Sequence, residues 1–406
     1  MSPYDLNLRH LLAVSAIGAL GSLGRAAEAV HLSQPALTQA VVKLEGQLQH
    51  RLFDRQANGM TPTAAGAELI ERVDRAAREL ADAFDAVAGG RRGRTGRGIL
   101  LRISFTHLRA AVAAVEFGNF VLASRATGIS PPAIHRAVRE FERLTDVTLF
   151  ERRGRSVAPT QKARSLAAAA RRAVAEIEAA LADLSAQRGE GGGRVAIGAL
   201  PLARARLIPE AVSGFHRAHP DVAISIVDGP YAELFARLVA GELDVVVGAL
   251  RLPLPSPEVV QTPLYEDRLV VVARAGHPLA QTAAVDLGDL AAYPWIMAAP
   301  GVPMRAMWET MFTRAGRPVP PVAIECSSVV TIHGLLADGD WLTLLSPEQV
   351  AGELAAGRLA IIGSEDLGAA RVIGVTTRAG WRPSGAQAAF LERLKTRAAT
   401  RKPLTG

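Results

Sequence analysis

Residues 32–63 read LSQPALTQAVVKLEGQLQHRLFDRQANGMTPT, and residues 129–160 read ISPPAIHRAVREFERLTDVTLFERRGRSVAPT. The two stretches align without a gap at a shift of 97 positions. Ser33 meets Ser130, Pro35 meets Pro132, Ala40-Val41 meets Ala137-Val138 and Glu45 meets Glu142. Leu52-Phe53, Arg55 and Pro62-Thr63 likewise meet Leu149-Phe150, Arg152 and Pro159-Thr160. An internal repeat governs the whole architecture, so every other assignment is made around it.

Each copy opens like a helix. The Ser33 and Ser130 hydroxyls can accept from a first-turn amide, and the prolines behind them cost little where an N–H would go unpaired. Leu37, Ala40, Val41, Leu44 and Leu48 recur at helical spacing, as do Ile134, Ala137, Val138 and Phe141. The opposite face carries Ser33, Gln34, Pro35, Thr38, Gln39 and Lys43 in the first copy. In the second it carries Ser130, Pro131, His135, Arg136, Arg139 and Arg143. A short alanine-rich helix pattern, Arg25–Val30 and Leu122–Thr127, precedes each. Helix, tight turn and helix make a helix-turn-helix, whose second helix enters the major groove of double-stranded DNA. The Leu-Phe, acid, Arg, glycine-containing segment and Pro-Thr that follow read as a two-stranded wing over the phosphates. Arg55, Arg152, Arg153 and Arg155 are its cations.

Residues 64–88 carry Leu69, Val73, Ala76, Leu80, Phe84 and Val87 at alternating spacings of three and four. Residues 161–187 repeat the device with Leu166, Ala170, Ala173, Ile177, Leu181 and Leu184. Such seams suit either helix pairing or packing on the helix's own domain. A pairing seam directly behind a DNA head would hold two heads at fixed separation. GGRRGRTGRG at 89–98 reads as a cationic linker. Ile99–Phe105 reads as a short strand or as the early start of the second head's first helix. Gln187–Gly193 closes the DNA-binding half.

From Arg194 strands and helices alternate, which implies βαβ units in two α/β lobes with two crossings, one of them the proline-rich Leu252–Pro263. The expected organisation is a first winged helix-turn-helix at 1–66, a linker helix at 67–88 and the Gly/Arg linker at 89–98. A second head at 99–163, a linker helix at 164–187 and a glycine-rich linker at 188–193 follow. The sensor occupies 194–400, with lobe 1 at 194–264 and 371–400 and lobe 2 at 265–370. The fold class is therefore multi-domain, with two all-α winged helix-turn-helix domains and their long linker helices ahead of a bilobal α/β domain.

Ligands in open α/β sheets sit beyond the carboxyl ends of strands. That places a small molecule among Ala199, Leu200, Pro201, Ala249, Leu250, Pro300, Gly301, Ser327 and Ser328. Arg204 and Arg206 stand nearby as sources of charge.

The 406 residues carry a net charge of +7. Residues 1–188 hold 26 Lys+Arg against 18 Asp+Glu, or +8, which leaves −1 for the remainder. A basic front and a near-neutral back fit a DNA-binding part joined to a sensor. A single cysteine, Cys326, excludes an internal disulfide and a cysteine-cluster metal site. The run Leu11–Leu23 has the length of a secretory segment, but glycines interrupt it and the repeat requires a helix there. No stretch reaches the roughly eighteen apolar residues of a membrane span, and a cytoplasmic location is expected. His216 and His219 lack a third ligand, no serine sits in a nucleophile elbow, and Gly18, Gly21 and Gly24 precede no second strand. Neither catalysis nor a cofactor is expected.

The run SQPALTQAVVKLEGQLQHRLFDRQANGMTPTAAG resembles the amino-terminal head of the LysR-type transcriptional regulators, and residues 192–400 resemble their effector domain. A second head departs from the family's usual single one. Leu108-Arg109 and Glu116–Phe120 keep the second copy nearer the family pattern in its first helix. Ser33-Gln34-Pro35 keeps the first nearer it in the reading helix. The run Ile197–Pro201 through Gly229-Pro230-Tyr231 is similar to the subgroup that includes the galactose-binding-protein regulator, which implies a sugar or a small organic acid as effector. The resemblance implies a periplasmic-binding-protein-like sensor, a homo-oligomer and ligand-controlled binding to DNA. The other reading is an architectural DNA protein whose two heads form a pseudo-dimer within one chain.

Overall fold

The computed structural model describes the backbone of residues 1–56, 59–88, 95–153, 156–363 and 370–401, and their side chains except at 55–56, 88, 152–153 and 156–157. The first head comprises α1 (Leu8–Leu20), α2 (Leu23–Ala29), α3 (Gln34–Leu48) and a wing of β1 (Phe53–Gln56) antiparallel to β2 (Gly59–Pro62), followed by α4 (Ala64–Ala88). A short α5 (Gly96–Leu100) leads to the second head, α6 (Phe105–Phe117), α7 (Phe120–Thr127), α8 (Pro131–Thr145), β3 (Phe150–Arg153) and β4 (Ser156–Pro159), followed by α9 (Gln161–Gln187).

The residues shared by the two copies hold the same joints. Glu45 Oε1 accepts from the amides of Leu52 and Phe53 at 2.7 and 3.3 Å, and Glu142 Oε1 accepts from Leu149 at 2.8 Å, so α3 and α8 are each pinned to the wing that follows. Thr63 Oγ1 donates to Arg51 O at 2.7 Å and Thr160 Oγ1 to Thr148 O at 2.9 Å, closing each wing onto the helix behind it. The helix-turn-helix turn is clamped in both heads by a guanidinium from a different position. Arg9 Nη2 donates to Val30 O at 3.0 Å, while Arg109 Nη2 donates to Thr127 O at 2.7 Å, and Val30 and Thr127 are themselves 97 apart.

The caps differ. Ser33 Oγ accepts from Ala36 N at 3.3 Å, but Ser130 makes no side-chain cap. Consecutive prolines at 131 and 132 remove two first-turn amides, and the next, on Ala133, goes to the Ser130 carbonyl at 3.0 Å. The turn also differs, since His31 holds φ +52° where its counterpart Gly128 holds +71°. Left-handed backbone costs an L-residue roughly 1–2 kcal/mol, and glycine gives back part of that through its looser unfolded chain. His31→Gly should therefore raise stability by about 0.5–1 kcal/mol, read as a shift of the urea midpoint at constant slope.

Residues 96–98 are helical, so the Gly/Arg linker ends before its expected limit of 98 and no strand follows it. Gly96 is there for close approach. Its N–H donates to Asp85 Oδ1 at 2.7 Å, and a Cβ would lie 2.1 Å from Ala81 O.

All twelve seam residues are buried in one core continuous with both heads. The seams face each other within the chain, because α4 and α9 run antiparallel: Lys162 Nζ reaches Val87 O at 3.0 Å, at the start of one helix and the end of the other. Arg75 pairs with Glu176 at 3.2 Å and Arg172 with Glu79 at 2.9 Å. Shifting Glu79 and Arg75 by 97 gives Glu176 and Arg172, so the two ion pairs are mates about a pseudo-two-fold axis, the reciprocity of an isologous dimer.

The axis is broken where the sensor docks. Arg72 has a side chain 1% exposed, and its five N–H groups meet Glu68, Glu176 and Asp183 at 3.1–3.2 Å, Arg382 O at 2.8 Å and Pro383 O at 3.0 Å. Arg382 returns to Glu68 at 2.9 Å and to Glu71. On α9 the positions equivalent to Glu68, Glu71 and Arg72 are Ser165, Ala168 and Ala169, so the Arg72 network has no mate on α9.

Lobe 1 contains β5 (Arg194–Ala199), α10 (Leu207–Ala218), β6 (Ala223–Asp228), α11 (Tyr231–Val239), β7 (Val245–Ala249) and β8 (Val259–Arg268). Lobe 2 contains β9 (Val270–Arg274), α12 (Leu287–Ala291), β10 (Trp295–Met297), α13 (Pro303–Arg314), β11 (Val322–Glu325), α14 (Val329–Ala337), β12 (Thr343–Leu345), α15 (Pro347–Ala355) and β13 (Leu359–Ile362). The chain then returns through β14 (Ala370–Arg378) and α16 (Gly385–Ala398). The first sheet has the order β6-β5-β7-β14-β8, with β5 parallel to β6 and β7 and with β14 antiparallel to β7 and β8. In lobe 2, β9 lies between β12 and β13, antiparallel to both, and β10 pairs in parallel with β11.

Two limits move. The expected crossing at 252–263 ends inside β8, and lobe 1 runs on to Arg268 rather than 264. Pro263 reads in isolation as a strand breaker. It sits on an edge strand at a register shift, opposite Gly374 while Tyr265 faces Ile373, where a missing N–H is tolerated.

Candidate DNA-reading faces and effector cleft

On α3, Ser33, Gln34, Pro35, Gln39 and Lys43 are exposed and Thr38 is half-buried, its hydroxyl donating to Gln34 O at 3.1 Å. On α8, Ser130, Pro131, His135, Arg136 and Arg139 are all exposed. The buried faces of both helices pack into the common core, so each polar face is left open to solvent. Arg139 is steadied by Glu142 at 3.2 Å, and the His135 ring meets the Phe120 ring edge-on at 5.5 Å. Among the described residues, Arg136 has neither ion pair nor hydrogen bond. The wing arginines fall outside what is described: Arg155 altogether, and Arg55, Arg152 and Arg153 in their side chains. One member of the α3 face escaped sequence reasoning. Val42, 58% exposed, stands one turn beyond Thr38 and Gln39 and aligns with Arg139. An exposed aliphatic on a polar face was the available signal.

In the sensor, Ala199 and Leu200 are buried, Ala249 and Leu250 half-buried, and Pro201, Pro300, Gly301, Ser327 and Ser328 exposed at the strand ends. Leu200 fills the space above Gly248, whose φ is +155° and where a Cβ would come within 2.5 Å of Leu200 Cβ. Ser328 caps α14, accepting from Thr331 N at 3.3 Å, and Ser327 is left facing outward. Arg204 and Arg206 are engaged by Asp228 and Glu210.

The charge that the cleft does offer comes from residues that sequence reasoning did not single out. The Arg251 guanidinium lies 4.4 Å from the centre of the Tyr231 ring, and Arg371 on β14 is close enough for the two cations to oppose each other. Burial pushes the Arg251 pKa down and the Tyr231 pKa up. Tyr231 Oη, Arg251 Nε and Arg371 Nη2 are buried without partners among the described residues, although Arg371 Nε meets Asp267 at 2.9 Å. Such orphaned donors at the carboxyl ends of β6 and β7 favour an anionic group.

A cavity of about 970 Å³ lies elsewhere, where α9, Gly191–Gly193, lobe 1 and the N-terminal residues Met1–Tyr4 meet. Glu178 lines it, and desolvation by the protein around the cavity raises its carboxyl pKa. A second cavity of about 400 Å³ separates α4 and α9 from residues 378–382. No helix among the described residues is long and apolar enough to cross a membrane.

The family profile described as "Bacterial regulatory helix-turn-helix protein, lysR family" matches residues 8–67 and again 105–164, and "LysR substrate binding domain" matches 188–399. The regulator GalR of Pseudomonas putida KT2440 is 33% identical over 390 residues, covering 95% of this chain and 97% of that one, so its length also accommodates two heads. PcaQ of Agrobacterium fabrum C58 is 30% identical over 283 residues, covering 70% of this chain and 91% of its own. Among solved structures, a full-length OxyR variant from Pseudomonas aeruginosa superposes with a TM-score of 0.57 at 23% identity, covering 73% of this chain and 94% of that one. CbnR in complex with its target DNA gives 0.52 at 20% identity, covering 73% and 100%. At these identities the structures testify to the fold.

Proposed function

Because the chain belongs to the LysR family of helix-turn-helix regulators, and is a DNA-binding transcriptional regulator with a small-molecule effector domain, we propose that one copy of it is a complete DNA-reading pair. The observation that carries this reading is the reciprocity of Arg75–Glu176 and Glu79–Arg172 about the α4/α9 seam. Two heads related by a pseudo-two-fold axis match two half-sites of a duplex, which itself has two-fold character. α3 and the second head's α8 are the reading helices, and the wing arginines Arg55, Arg152, Arg153 and Arg155 hold phosphates. With the linker seam already filled, further copies associate through their sensors. The protein works in the cytoplasm, where its DNA is.

The effector is a small organic acid whose carboxylate pairs with Arg251 and accepts from Tyr231, between the loops of Ala199–Pro201, Ala249–Leu250, Pro300–Gly301 and Ser327–Ser328. Closing the lobes shifts lobe 1, and Arg72 passes that shift to both linker helices at once. Coupling of this kind needs only that the acid bind one lobe arrangement more tightly than the other.

The test is a footprint on genomic DNA fragments, taken with and without small organic acids, alongside the solution mass of the complex. Each bound copy is expected to protect two half-sites about one helical turn apart. Protection of one half-site per copy would sink the reading.

A further inference from the structure

We propose that the DNA site read by one copy is not a palindrome: α3 reads an A·T-containing half-site and α8 a G·C-containing one. This rests on the reading above, in which both heads face bases.

The two heads share a scaffold and differ on the outside. Glu45 and Glu142, Thr63 and Thr160, and the clamped carbonyls of Val30 and Thr127 do the same work at the same places. Apart from Ser33 with Ser130 and Pro35 with Pro132 at the helix start, the exposed faces differ: Gln34 stands opposite Pro131, Thr38 opposite His135, Gln39 opposite Arg136 and Val42 opposite Arg139. In each helix the last three positions are spaced by one and three residues, so they share a face.

The chemistry of the two faces is different in kind. α3 offers amides, each with a donor and an acceptor, which match adenine N6 and N7, and beside them the exposed isopropyl group of Val42, which matches the thymine methyl. α8 offers guanidinium groups, which only donate, and these match guanine O6 and N7. Arg136 is free to do so, and Arg139 is aimed by Glu142, whose other oxygen is held by Leu149 N at 2.8 Å. Even the cation at the far end of the α3 face is not kept. Lys43 aligns with Glu140, which is turned toward His107 at 3.4 Å and Arg143 at 3.7 Å. A dimer of one-headed chains must offer the same helix to both half-sites. Two heads on one polypeptide are released from that constraint, and the differences fall on the exposed face.

The experiment is selection of binding sites from a random duplex pool by the purified full chain at fixed salt, followed by the same selection with Arg136→Gln/Arg139→Val and with Gln39→Arg. Circular dichroism and affinity for nonspecific DNA monitor folding. The wild-type chain is expected to select two dissimilar half-sites. The double variant should replace guanine by adenine in one half only, with a preference change of about 10- to 100-fold per reversed contact, and so make the site more symmetric. Gln39→Arg should add guanine in the other half. Two identical half-sites selected by the wild-type chain would overturn the proposal while leaving the paired heads intact. A single half-site untouched by the Arg136 change would overturn it by removing the second head from base reading. No sequence preference at all would bring down the regulator reading together with it.

Discussion

Arg72→Ala is expected to lower stability by about 3–5 kcal/mol and to loosen the sensor from the heads. The side chain is 1% exposed, and its carboxylate partners Glu68, Glu176 and Asp183 are 14–20% exposed, so water can replace little of what the guanidinium supplies. Without it, Glu68 on α4 and the α9 carboxylates Glu176 and Asp183 are left uncompensated across the helix pair, and the carbonyls of Arg382 and Pro383 lose their donors. Burial raises the Asp183 carboxyl pKa against the pull of Gly385 N–H and Arg72. Arg72→Lys separates charge from geometry: an ammonium has three donors for five acceptors, and a loss roughly half as large is expected. Urea unfolding measures the first effect, and protease cleavage within 188–193, where lobe 1 is tethered, measures the second. A loss under about 1 kcal/mol for Arg72→Ala would mean that the network is no more than an exposed set of ion pairs.

Phe84→Ala attacks the pairing itself. Phe84 is 1% exposed on α4, and its ring centre lies 5.9 Å from that of Phe141 on α8, so one side chain joins the first linker helix to the second recognition helix. Emptying that site should cost about 3–5 kcal/mol. The protected DNA should shrink from two half-sites to one, because the second head loses its support before the first does. If the variant is destabilised by that amount and still protects both half-sites, the heads are held in register by something other than this seam.

Much of this architecture could be read from the residues. The repeat was visible because the shared pairs make local joints: Glu45 and Glu142 reach amides seven positions ahead, and Thr63 and Thr160 close loops of twelve residues. The apolar seams were visible as well, but periodicity shows that a face is apolar and not which partner covers it. Arg72 looked like any charge on a surface helix, since its acceptors come from 104 to 311 positions away as well as from Glu68. Arg251, Tyr231 and Arg371 meet only once β7, α11 and β14 are assembled. Pro263 and Gly96 misled for a common reason: each marks a breaker in isolation, and here one tolerates a sheet edge while the other permits helix contact.

If one copy reads both half-sites, as we propose, the antiparallel pairing of α4 with α9 also fixes how the protein responds to scarcity. Heads that must find each other by association come apart when a cell holds too few copies, whereas two heads on one tether meet at an effective concentration that dilution cannot lower. Occupancy of a two-half-site target then rises with the first power of copy number. A defective copy, moreover, cannot spoil a sound one by sharing a head pair with it.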